Sequence, residues 1–386
     1  MNGSTIPYGR QTITDEDIRV VNEVLRGEYL TQGPHIANLE TAFNAYVDAG
    51  YSVAVSNGTA ALHLCAMALG VAPGTRVITS PITFAASANC VRYCGGEVWF
   101  ADIDSQTYTL SLDKTRELLA SKPKGFFQGI IPVDFAGLPV DLEKFRQLAD
   151  EYGCWLIEDA CHAPGGYFTD STQQKQYCGS GKFADLAIFS FHPVKHIAAG
   201  EGGIISTRSE ALYKHLLRLR THGITREAEL LVENHGGWYY EMQELGYNYR
   251  ITDFQAALAE SQLKRADDGL NRRQEIADRY MEGLQHASIT LPHVPDGYRH
   301  AWHLFVIQTE KRKALYDFLR SRNIFCQVHY IPVHTMPYYK QFGWKKGDFV
   351  ASEAYYERCL SLPMYPALTN EQQDFVIQSI LEFVQA

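Results

Sequence analysis

Polar residues that could do chemistry follow three apolar, β-branched runs of this 386-residue chain. Lys195 lies between one such run and a glycine-rich turn at residues 200–203, and a lysine packed against a sheet loses hydration and becomes nucleophilic. Asp159 ends another run, where a carboxylate either caps a turn or acts as an acid. Residues 56–59, Ser-Asn-Gly-Thr, enter a predicted helix, whose first free N–H groups favour an anion such as phosphate.

Polar residues at the carboxyl ends of neighbouring parallel strands meet at one edge of an open α/β sheet. An amine, an acid and a phosphate site that meet in this way fit pyridoxal phosphate. The lysine bonds to its aldehyde carbon, the acid keeps its pyridine nitrogen protonated, and helix N–H groups hold its phosphate. Taken alone, the loop at Asn57 favours a helix N-cap without a ligand, and only the combination with the lysine and the acid points to a phosphate site.

Other ligand-binding patterns fit the sequence poorly. His192 and His196 have the spacing of two metal ligands on a helix, but Pro193 interrupts that helix, so we expect no metal site. The segment Gly179-Ser180-Gly181-Lys182 resembles a phosphate loop, but Phe183 replaces the hydroxyl residue that such a loop requires. No G-x-G-x-x-G follows the first predicted strand, which disfavours a dinucleotide-binding oxidoreductase.

The elements that position these residues are read from the hydrophobic pattern. Apolar β-branched runs alternate with segments of helical period, which predicts strands at 52–56, 76–80, 97–103, 129–135, 155–160, 185–191 and 203–207. The second half predicts strands at 303–309 and 325–330 and helices at 311–322, 352–359 and 370–384. The predicted fold class is α/β, with a large domain built on a mainly parallel central sheet flanked by helices and a smaller α+β C-terminal domain.

Breaks in this pattern predict the domain boundaries. We expect an N-terminal arm at residues 1–30, a large cofactor-binding domain at 31–252, a linker helix at 253–285 and a small domain at 286–386. The linker follows from a long, charge-rich helical segment that ends before Pro292, Pro295 and Gly297.

Composition excludes several classes of partner. The chain has 35 Lys and Arg against 44 Asp and Glu, a net charge of −9, so we expect neither nucleic acid nor an anionic membrane as a partner. The eight cysteines form no C-x-x-C pair, which argues against a zinc ribbon and a disulfide scaffold. Without the apolar run of an export signal, the predicted location is the cytoplasm.

Motifs in a fixed order along nearly the whole chain resemble one family. They are Gly33-Pro34, Ser56-Asn57-Gly58-Thr59-Ala60-Ala61-Leu62, Pro81-Ile82-Thr83-Phe84, Glu158-Asp159-Ala160-Cys161-His162-Ala163, Ser190-Phe191-His192-Pro193-Val194-Lys195, Gly200-Glu201-Gly202-Gly203, Gly246-Tyr247-Asn248-Tyr249-Arg250 and Ala256-Ala257. The sequence is similar in this respect to the DegT/DnrJ/EryC1/StrS sugar aminotransferases, which are fold-type I enzymes that use pyridoxal 5'-phosphate.

The resemblance implies a role for individual residues. Lys195 would be the Schiff-base lysine and proton shuttle, Asp159 the partner of the pyridine nitrogen, and His162 a third catalytic residue beside the ring. A hydrogen-bonded structural role for His162 stays open. The residues that would bind the cofactor are Gly58, Thr59, Phe84, Asp159, His162, Ser190 and Lys195, with Asn248 from the partner subunit of a homodimer that shares its active sites.

A narrower resemblance concerns the substrate. The strings at 27–33, 191–196 and 327–334 are similar to the subgroup that makes UDP-4-amino-4,6-dideoxy-N-acetyl-β-L-altrosamine in pseudaminic acid biosynthesis. This implies amino transfer from L-glutamate to C4 of a UDP-linked 4-keto-6-deoxy sugar. The residues that would bind substrate are Tyr8, Glu28, Tyr29, Leu30, Thr31, Asn57, Arg250, Gln327, Val328, His329 and Tyr330.

Three alternatives remain open at this stage. Another nucleotide-linked keto sugar could be the substrate, because other members aminate the same ring position. A non-catalytic protein that binds the cofactor for regulation is disfavoured by the acidic net charge. A dehydratase branch of the family has His where this chain has Lys195, which argues against that branch. One departure from the subgroup is Ala198-Ala199, where many members have two threonines.

Overall fold

The computed structural model describes residues 5–385, so the first four residues of the predicted arm and the last residue of the predicted small domain lie outside the described part. Its strands are, in chain order, β1 Ile6–Pro7, β2 Tyr51–Val55, β3 Arg76–Thr79, β4 Glu97–Phe100, β5 Gly129–Ile131, β6 Trp155–Asp159, β7 Tyr167–Thr169, β8 Lys175–Tyr177, β9 Leu186–Ser190, β10 Gly203–Thr207, β11 Ile224–Thr225, β12 Glu241–Met242, β13 Tyr298–Arg299, β14 Phe305–Gln308, β15 Ile324–Phe325 and β16 Cys359–Leu362. Its α-helices are α1 Asp15–Arg26, α2 Pro34–Val47, α3 Gly58–Ala68, α4 Ala86–Tyr93, α5 Leu112–Ala120, α6 Leu142–Tyr152, α7 Glu210–Arg220, α8 Asp253–Leu263, α9 Ala266–Leu284, α10 Arg312–Ser321, α11 Pro337–Lys340, α12 Val350–Arg358 and α13 Asn370–Gln385.

The central sheet contains all seven strands predicted between residues 52 and 207. Its strand order is β2-β10-β9-β6-β5-β3-β4, in which β10 runs antiparallel to both its neighbours and the other strands are parallel to one another. Near-continuous apolar runs form these strands because helices cover both faces of the sheet. The predicted α/β class with a mainly parallel central sheet is confirmed.

Two helical layers bury the two faces of this sheet. Ile205 on β10 packs with Leu64 of α3 and Leu216 of α7 on one face. The neighbouring Ile204 points the opposite way and packs with Phe43 of α2 on the other face, as the alternation of a strand requires. The sheet is therefore held from both sides, and its strand ends stay free to carry polar residues.

The C-terminal third has a core of its own. Strands β14 and β16 pair antiparallel, and helices α9, α10 and α13 pack against them through residues such as Tyr280, Leu319 and Ile380. Strand β1 pairs in parallel with β15, so the N-terminal arm contacts this part of the chain. Among residues 5–385 no helix combines the length and hydropathy needed to cross a membrane.

Four predicted elements differ from the structure. Strands β4 and β5 end at Phe100 and Ile131, earlier than the predicted ends at 103 and 135. The segment expected as one linker helix is two helices, α8 and α9, interrupted at Lys264 and Arg265. Arg265 Nη2 binds the Asp17 carboxylate at 2.6 Å and the Thr12 carbonyl at 2.8 Å, a long-range contact that accompanies the break. The strand predicted at 325–330 is much shorter in the structure, where β15 ends at Phe325. The backbone after it pairs with β16 only at a single bridge, Gln327 to Ser361.

Candidate active site

A cavity of about 630 Å³ opens where parallel strands of the central sheet end. Asp159 is the last residue of β6 and Ser190 the last residue of β9, while Asn57 follows β2. The predicted site residues that line the cavity are Tyr8, Asn57, Gly58, Thr59, Phe84, Asp159, His162, Ser190, Lys195, His329 and Tyr330. Residues spread over more than 300 positions of sequence thus meet in one cavity.

Lys195 lies in the cavity wall with its side chain partly open to the cavity. Desolvation by the surrounding protein lowers the pKa of its ammonium, the nearby Cys161 and Asp159 oppose that shift, and the buried Arg273 adds to it. Its Nζ lies 3.4 Å from His303 Nε2. A lysine with a lowered pKa supplies more free amine at neutral pH, which is what a nucleophile or proton acceptor needs.

The buried Asp159 carboxylate accepts a hydrogen bond from one hydroxyl, which in turn accepts from a second. Ser87 Oγ donates to Asp159 Oδ2 at 2.6 Å, and Ser87 Oγ also lies 2.7 Å from Thr83 Oγ1. Since the single Ser87 hydrogen goes to the carboxylate, Thr83 donates to Ser87. The Cys161 backbone N–H donates to Asp159 Oδ1 at 3.3 Å. The carboxylate is therefore fixed in orientation at the cavity wall.

His162 has a defined tautomer. The Ala136 backbone N–H donates to its Nδ1 at 3.2 Å, so the ring proton sits on Nε2. Nε2 lies 3.3 Å from Tyr330 Oη and can donate to it. Desolvation, with a smaller contribution from Lys195, lowers the pKa of His162 well below its ordinary value. His162 is thus a neutral donor at the cavity wall rather than a cation.

The amino end of α3 forms the anion-binding part of the cavity. Asn57 caps the helix by accepting the Ala60 N–H at 2.8 Å, which leaves the N–H groups of Gly58 and Thr59 without an acceptor among the described residues. A Cβ at Gly58 would lie 2.9 Å from Ser190 Cβ, so only glycine leaves this space open. The two free N–H groups meet the hydroxyls of Thr59 and Ser190 there.

These groups fit pyridoxal phosphate. The α3 end supplies N–H and hydroxyl donors for a phosphate, Asp159 a carboxylate for a ring nitrogen, and Lys195 an amine for an aldehyde. All three line one cavity, which is wide enough for a small aromatic ring. Of the residues predicted to bind the cofactor, Asn248 alone does not line the cavity of its own chain.

Aromatic and imidazole rings line the rest of the cavity. Tyr8 packs on His329 with ring centroids 5.3 Å apart, and Phe84 packs near Tyr330 at 6.1 Å. Burial and the Lys195 charge lower the pKa of His329 to about 3, so this ring is neutral. Phe84 is 62% exposed and free to cover a flat ligand at the cavity mouth.

Other predicted substrate residues lie outside the cavity of this chain. Residues 28–31 form an exposed loop after α1 that is tied to α8 by the Asp253 N–H to Leu30 carbonyl bond of 2.9 Å. Asn248 is exposed and pairs with Thr221. The predicted substrate residues in this group are Glu28, Tyr29, Leu30, Thr31, Arg250, Gln327 and Val328.

Several residues of the cavity were not predicted. Ser87 and His303 contact the two central groups, and Cys161, Glu201 and Tyr249 also line the wall. Ser87 lies 72 positions from Asp159, and His303 lies 108 positions from Lys195. No local spacing connects them, although Ser87 on α4 lies four positions after Thr83, a pair of hydroxyl residues that the sequence does show.

A second acid, next to Asp159 in sequence, points away from the cavity. Glu158 Oε2 accepts the Gly179 N–H at 2.9 Å and lies in a buried cluster with Asp134 and Cys178. Burial and the neighbouring carboxyl raise the pKa of Glu158 well above its ordinary value, and burial raises that of Asp134 to about 7. Of the two adjacent acids of β6, Asp159 therefore lines the cavity, whereas Glu158 lies in a buried cluster outside it.

Comparison with known proteins identifies relatives along the whole chain. The sequence model of the DegT/DnrJ/EryC1/StrS aminotransferase family matches residues 11–381. The spore coat polysaccharide biosynthesis protein SpsC of Bacillus subtilis (strain 168) is 39% identical over 389 residues, 98% of this chain and 97% of SpsC.

Solved structures agree with this match. Helicobacter pylori PseC, an aminotransferase involved in the biosynthesis of pseudoaminic acid, has a TM-score of 0.89 at 26% identity and covers 99% of this chain and 100% of its own. The PLP form of Streptococcus pneumoniae Spr1654 has a TM-score of 0.89 at 26% identity, with 99% of each chain covered. On this agreement of sequence, fold and cavity, the chain belongs to the DegT/DnrJ/EryC1/StrS aminotransferase family and is a sugar aminotransferase that uses pyridoxal phosphate.

Proposed function

We propose that this enzyme transfers the amino group of L-glutamate to C4 of a UDP-linked 4-keto-6-deoxy-N-acetylamino sugar, the step that leads to pseudaminic acid. The observation that carries the proposal is the cavity itself, in which Tyr8, His329 and Tyr330 of the substrate motif adjoin Lys195 and Asp159. The likeness to PseC over the whole chain supports the same substrate class.

Bound pyridoxal phosphate supplies a carbon that carries the amino group and a ring that accepts electrons. In the first half of the reaction Lys195 Nζ accepts the proton that leaves the α-carbon of glutamate, and a water molecule supplies the keto oxygen of the 2-oxoglutarate that is released. In the second half Lys195 Nζ returns a proton to C4 of the sugar, whose carbonyl oxygen leaves as water. Asp159 holds the ring-nitrogen proton throughout, and the amino end of α3 anchors the phosphate.

The proposal includes a homodimer with shared active sites. The segment before Asn248 exposes apolar side chains to an extent that a free surface seldom does; they are Leu230, Val232, Trp238, Tyr240, Met242, Leu245 and Tyr247. A second copy that covers this segment would bring Asn248 to the phosphate of the neighbouring site and the loop 28–31 or Arg250 to the sugar nucleotide. We place the dimer in the cytoplasm, since all eight cysteines are free thiols.

A second candidate is another nucleotide-linked keto sugar. It is favoured by the higher identity to SpsC, 39%, than to PseC, 26%, because SpsC is a spore coat polysaccharide biosynthesis protein. The predicted chemistry at Lys195 is the same for both candidates, and they differ in the hexose and its N-acetyl group.

A substrate panel separates the candidates. The holoenzyme is incubated with L-glutamate and either the UDP-linked 4-keto-6-deoxy-N-acetylamino sugar or a dTDP-linked 4-keto-6-deoxyhexose, and the aminated sugar and 2-oxoglutarate are measured by mass spectrometry. We expect equal amounts of both products with the UDP-linked substrate and at least about tenfold less with the other, because the binding pocket would lose contacts to the base and the acetamido group. Preference for the dTDP-linked sugar would overturn the substrate assignment in favour of the second candidate.

A further inference from the structure

The amine of Lys195 has one protein hydrogen-bond partner among residues 5–385. That partner is His303 Nε2 at 3.4 Å, on the segment that leads into β14. His303 is 4% exposed and lines the same cavity. The contact joins the lysine of the central sheet to the C-terminal part of the chain, a link that the reaction scheme above does not use.

The backbone around His303 is held in a constrained shape. The Ala301 N–H donates to the Gly137 carbonyl at 2.7 Å, and the Leu304 N–H donates to the Ala136 carbonyl at 3.0 Å. Ala136 and Trp302 adopt the left-handed conformation with φ of 60° and 48°, which is unfavourable for a residue other than glycine. The two left-handed residues lie on the two segments that meet here, and the hydrogen bonds between these segments fix the backbone of His303 beside the cavity.

The neighbouring Gly137 allows these two segments to come together. At its φ of 105° a Cβ would lie 2.9 Å from both the His162 carbonyl oxygen and the Trp302 nitrogen. The close approach brings the His162 and His303 rings to a centroid distance of 4.3 Å. The His162 ring therefore limits the movement of the His303 ring on that side.

The hydrogen-bonding state of His303 follows from its partners. A lysine ammonium has only donors, so towards it Nε2 must accept and the imidazole proton must sit on Nδ1. His303 Nδ1 is buried and has no hydrogen-bond partner among the described residues. His196 and His334 also leave Nδ1 without a partner among the described residues, so the feature that distinguishes His303 is that its Nε2 faces the lysine amine.

We propose that His303 is a positioning residue for Lys195: its Nε2 accepts a hydrogen bond from Nζ and directs the amine towards the cavity for each proton transfer. Desolvation and the Lys195 charge lower the pKa of His303 well below its ordinary value, so the ring stays a neutral acceptor. The other ionisable groups near Lys195 are Asp159, Cys161, His162, His196, His329 and Arg273.

The test measures the reactivity of Lys195 in the apoenzyme, without cofactor or sugar. Apoenzyme is labelled with 1-fluoro-2,4-dinitrobenzene across a pH series, and mass spectrometry of the Lys195 peptide gives the midpoint of its titration. His303→Phe introduces an aromatic ring without a nitrogen, and His303→Asn introduces an amide that is too short to reach Lys195 Nζ. His303→Gln places an amide oxygen close to the position of Nε2.

We expect the midpoint to fall by about one pH unit in H303F and H303N, because the buried ammonium loses its hydrogen-bond acceptor, and to return towards the wild-type value in H303Q. In the holoenzyme kcat should fall roughly 10–100-fold in H303F with KM for glutamate within about threefold. Equal titration midpoints in wild type, H303N and H303Q would overturn the proposal. A loss of activity that is explained, across the His303 variants, by their lower melting temperatures alone would also overturn it. If H303F does not fold, the comparison of H303N with H303Q decides.

Discussion

Two parts of the site differ in how many of their predicted residues one chain supplies. We call the part around Lys195, Asp159 and the start of α3 the cofactor end, and the part expected to bind the sugar nucleotide the sugar end. At the cofactor end Gly58, Thr59, Asp159, Ser190 and Lys195 all line one cavity. At the sugar end the predicted loop 28–31 and Arg250 lie outside it. The sheet edge alone assembles the first group, whereas the second comes from exposed loops.

This difference has a physical origin. Residues at strand ends and at a helix amino end have places that the hydrogen-bonded sheet fixes, so they converge whatever else binds. Exposed loops such as 28–31 and the stretch around Asn248 take their final surroundings from what covers them. One chain supplies every predicted cofactor residue except Asn248 and only part of the predicted sugar-nucleotide residues, which is what a shared site in a dimer would look like in one chain.

The largest expected effect comes from removing the amine at the cofactor end. Lys195→Ala should abolish covalent attachment of the cofactor and lower turnover more than about 10⁴-fold, because nucleophile and proton carrier are lost together. Turnover is measured by 2-oxoglutarate release. Lys313→Ala, at a side chain that is 87% exposed, is the matched control and should keep wild-type activity. Substantial activity in K195A would contradict the assignment.

The next largest effect concerns the acid. Asp159→Asn should lower kcat roughly 10²–10³-fold while cofactor still binds, because the ring nitrogen loses the carboxylate that holds its proton. Stopped-flow absorbance after addition of glutamate measures the first half-reaction directly. An unchanged rate would place the electron-accepting role of the ring on another residue.

Glu158→Gln, one position away on the same strand, is the control for Asp159→Asn and should keep the rate within about threefold.

The effect expected of Glu158→Gln is on the stability of the fold. Because the raised pKa of Asp134, about 7, and of Glu158 makes the folded state hold a proton that the unfolded chain releases, wild-type stability should fall as pH rises from about 5 to 8, by up to about 1.4 kcal/mol per pH unit. E158Q should flatten that fall in urea unfolding curves. A wild-type free energy of unfolding that rises over this pH range would contradict the raised pKa values of Asp134 and Glu158.

Mixed dimers test the contribution that the partner subunit's Asn248 is expected to make to the cofactor phosphate site. Asn248→Ala and Lys195→Ala subunits, each weakly active or inactive alone, should recover about a quarter of wild-type activity when mixed, since half the dimers are mixed and each of these has one intact site. Subunits are exchanged in mild denaturant and activity is compared with each unmixed variant. If mixing restores nothing, Asn248 acts in its own chain or not at all.

The smallest effect is expected within the sugar end itself. Tyr330→Phe removes the hydroxyl beside His162 and should raise KM for the sugar about 3–10-fold with little change in the glutamate half-reaction. Tyr338→Phe, at an exposed tyrosine, is its control. A slowed glutamate half-reaction in Y330F would mean that this residue belongs to the cofactor end.

Much of the fold could be predicted because the signal was local. Each strand of the central sheet is an apolar run, so hydrophobicity alone predicts it, whereas β7, β8 and β13 have only two or three residues each and contain no apolar run. The break between α8 and α9 accompanies the contact of Arg265 with Asp17, 248 positions away. Such long-range contacts are not encoded in any local pattern.

The candidate site divides in the same way. Lys195 and Asp159 were recognised because each follows an apolar strand, and the structure puts both in one cavity. Ser87 and His303 were not, because their importance lies in a contact with a residue far along the chain. A serine on a helix and a histidine before a strand look ordinary until the fold brings them to a carboxylate and an amine.

The most direct test of the cofactor end is an absorption spectrum of the purified enzyme, recorded before and after L-glutamate is added without any sugar. The account predicts a visible band from cofactor bound to Lys195 that glutamate converts to a band at shorter wavelength, since the first half-reaction needs only the cofactor end. A band that glutamate leaves unchanged would contradict glutamate as the donor. No band after the cofactor is supplied would contradict the role of Lys195.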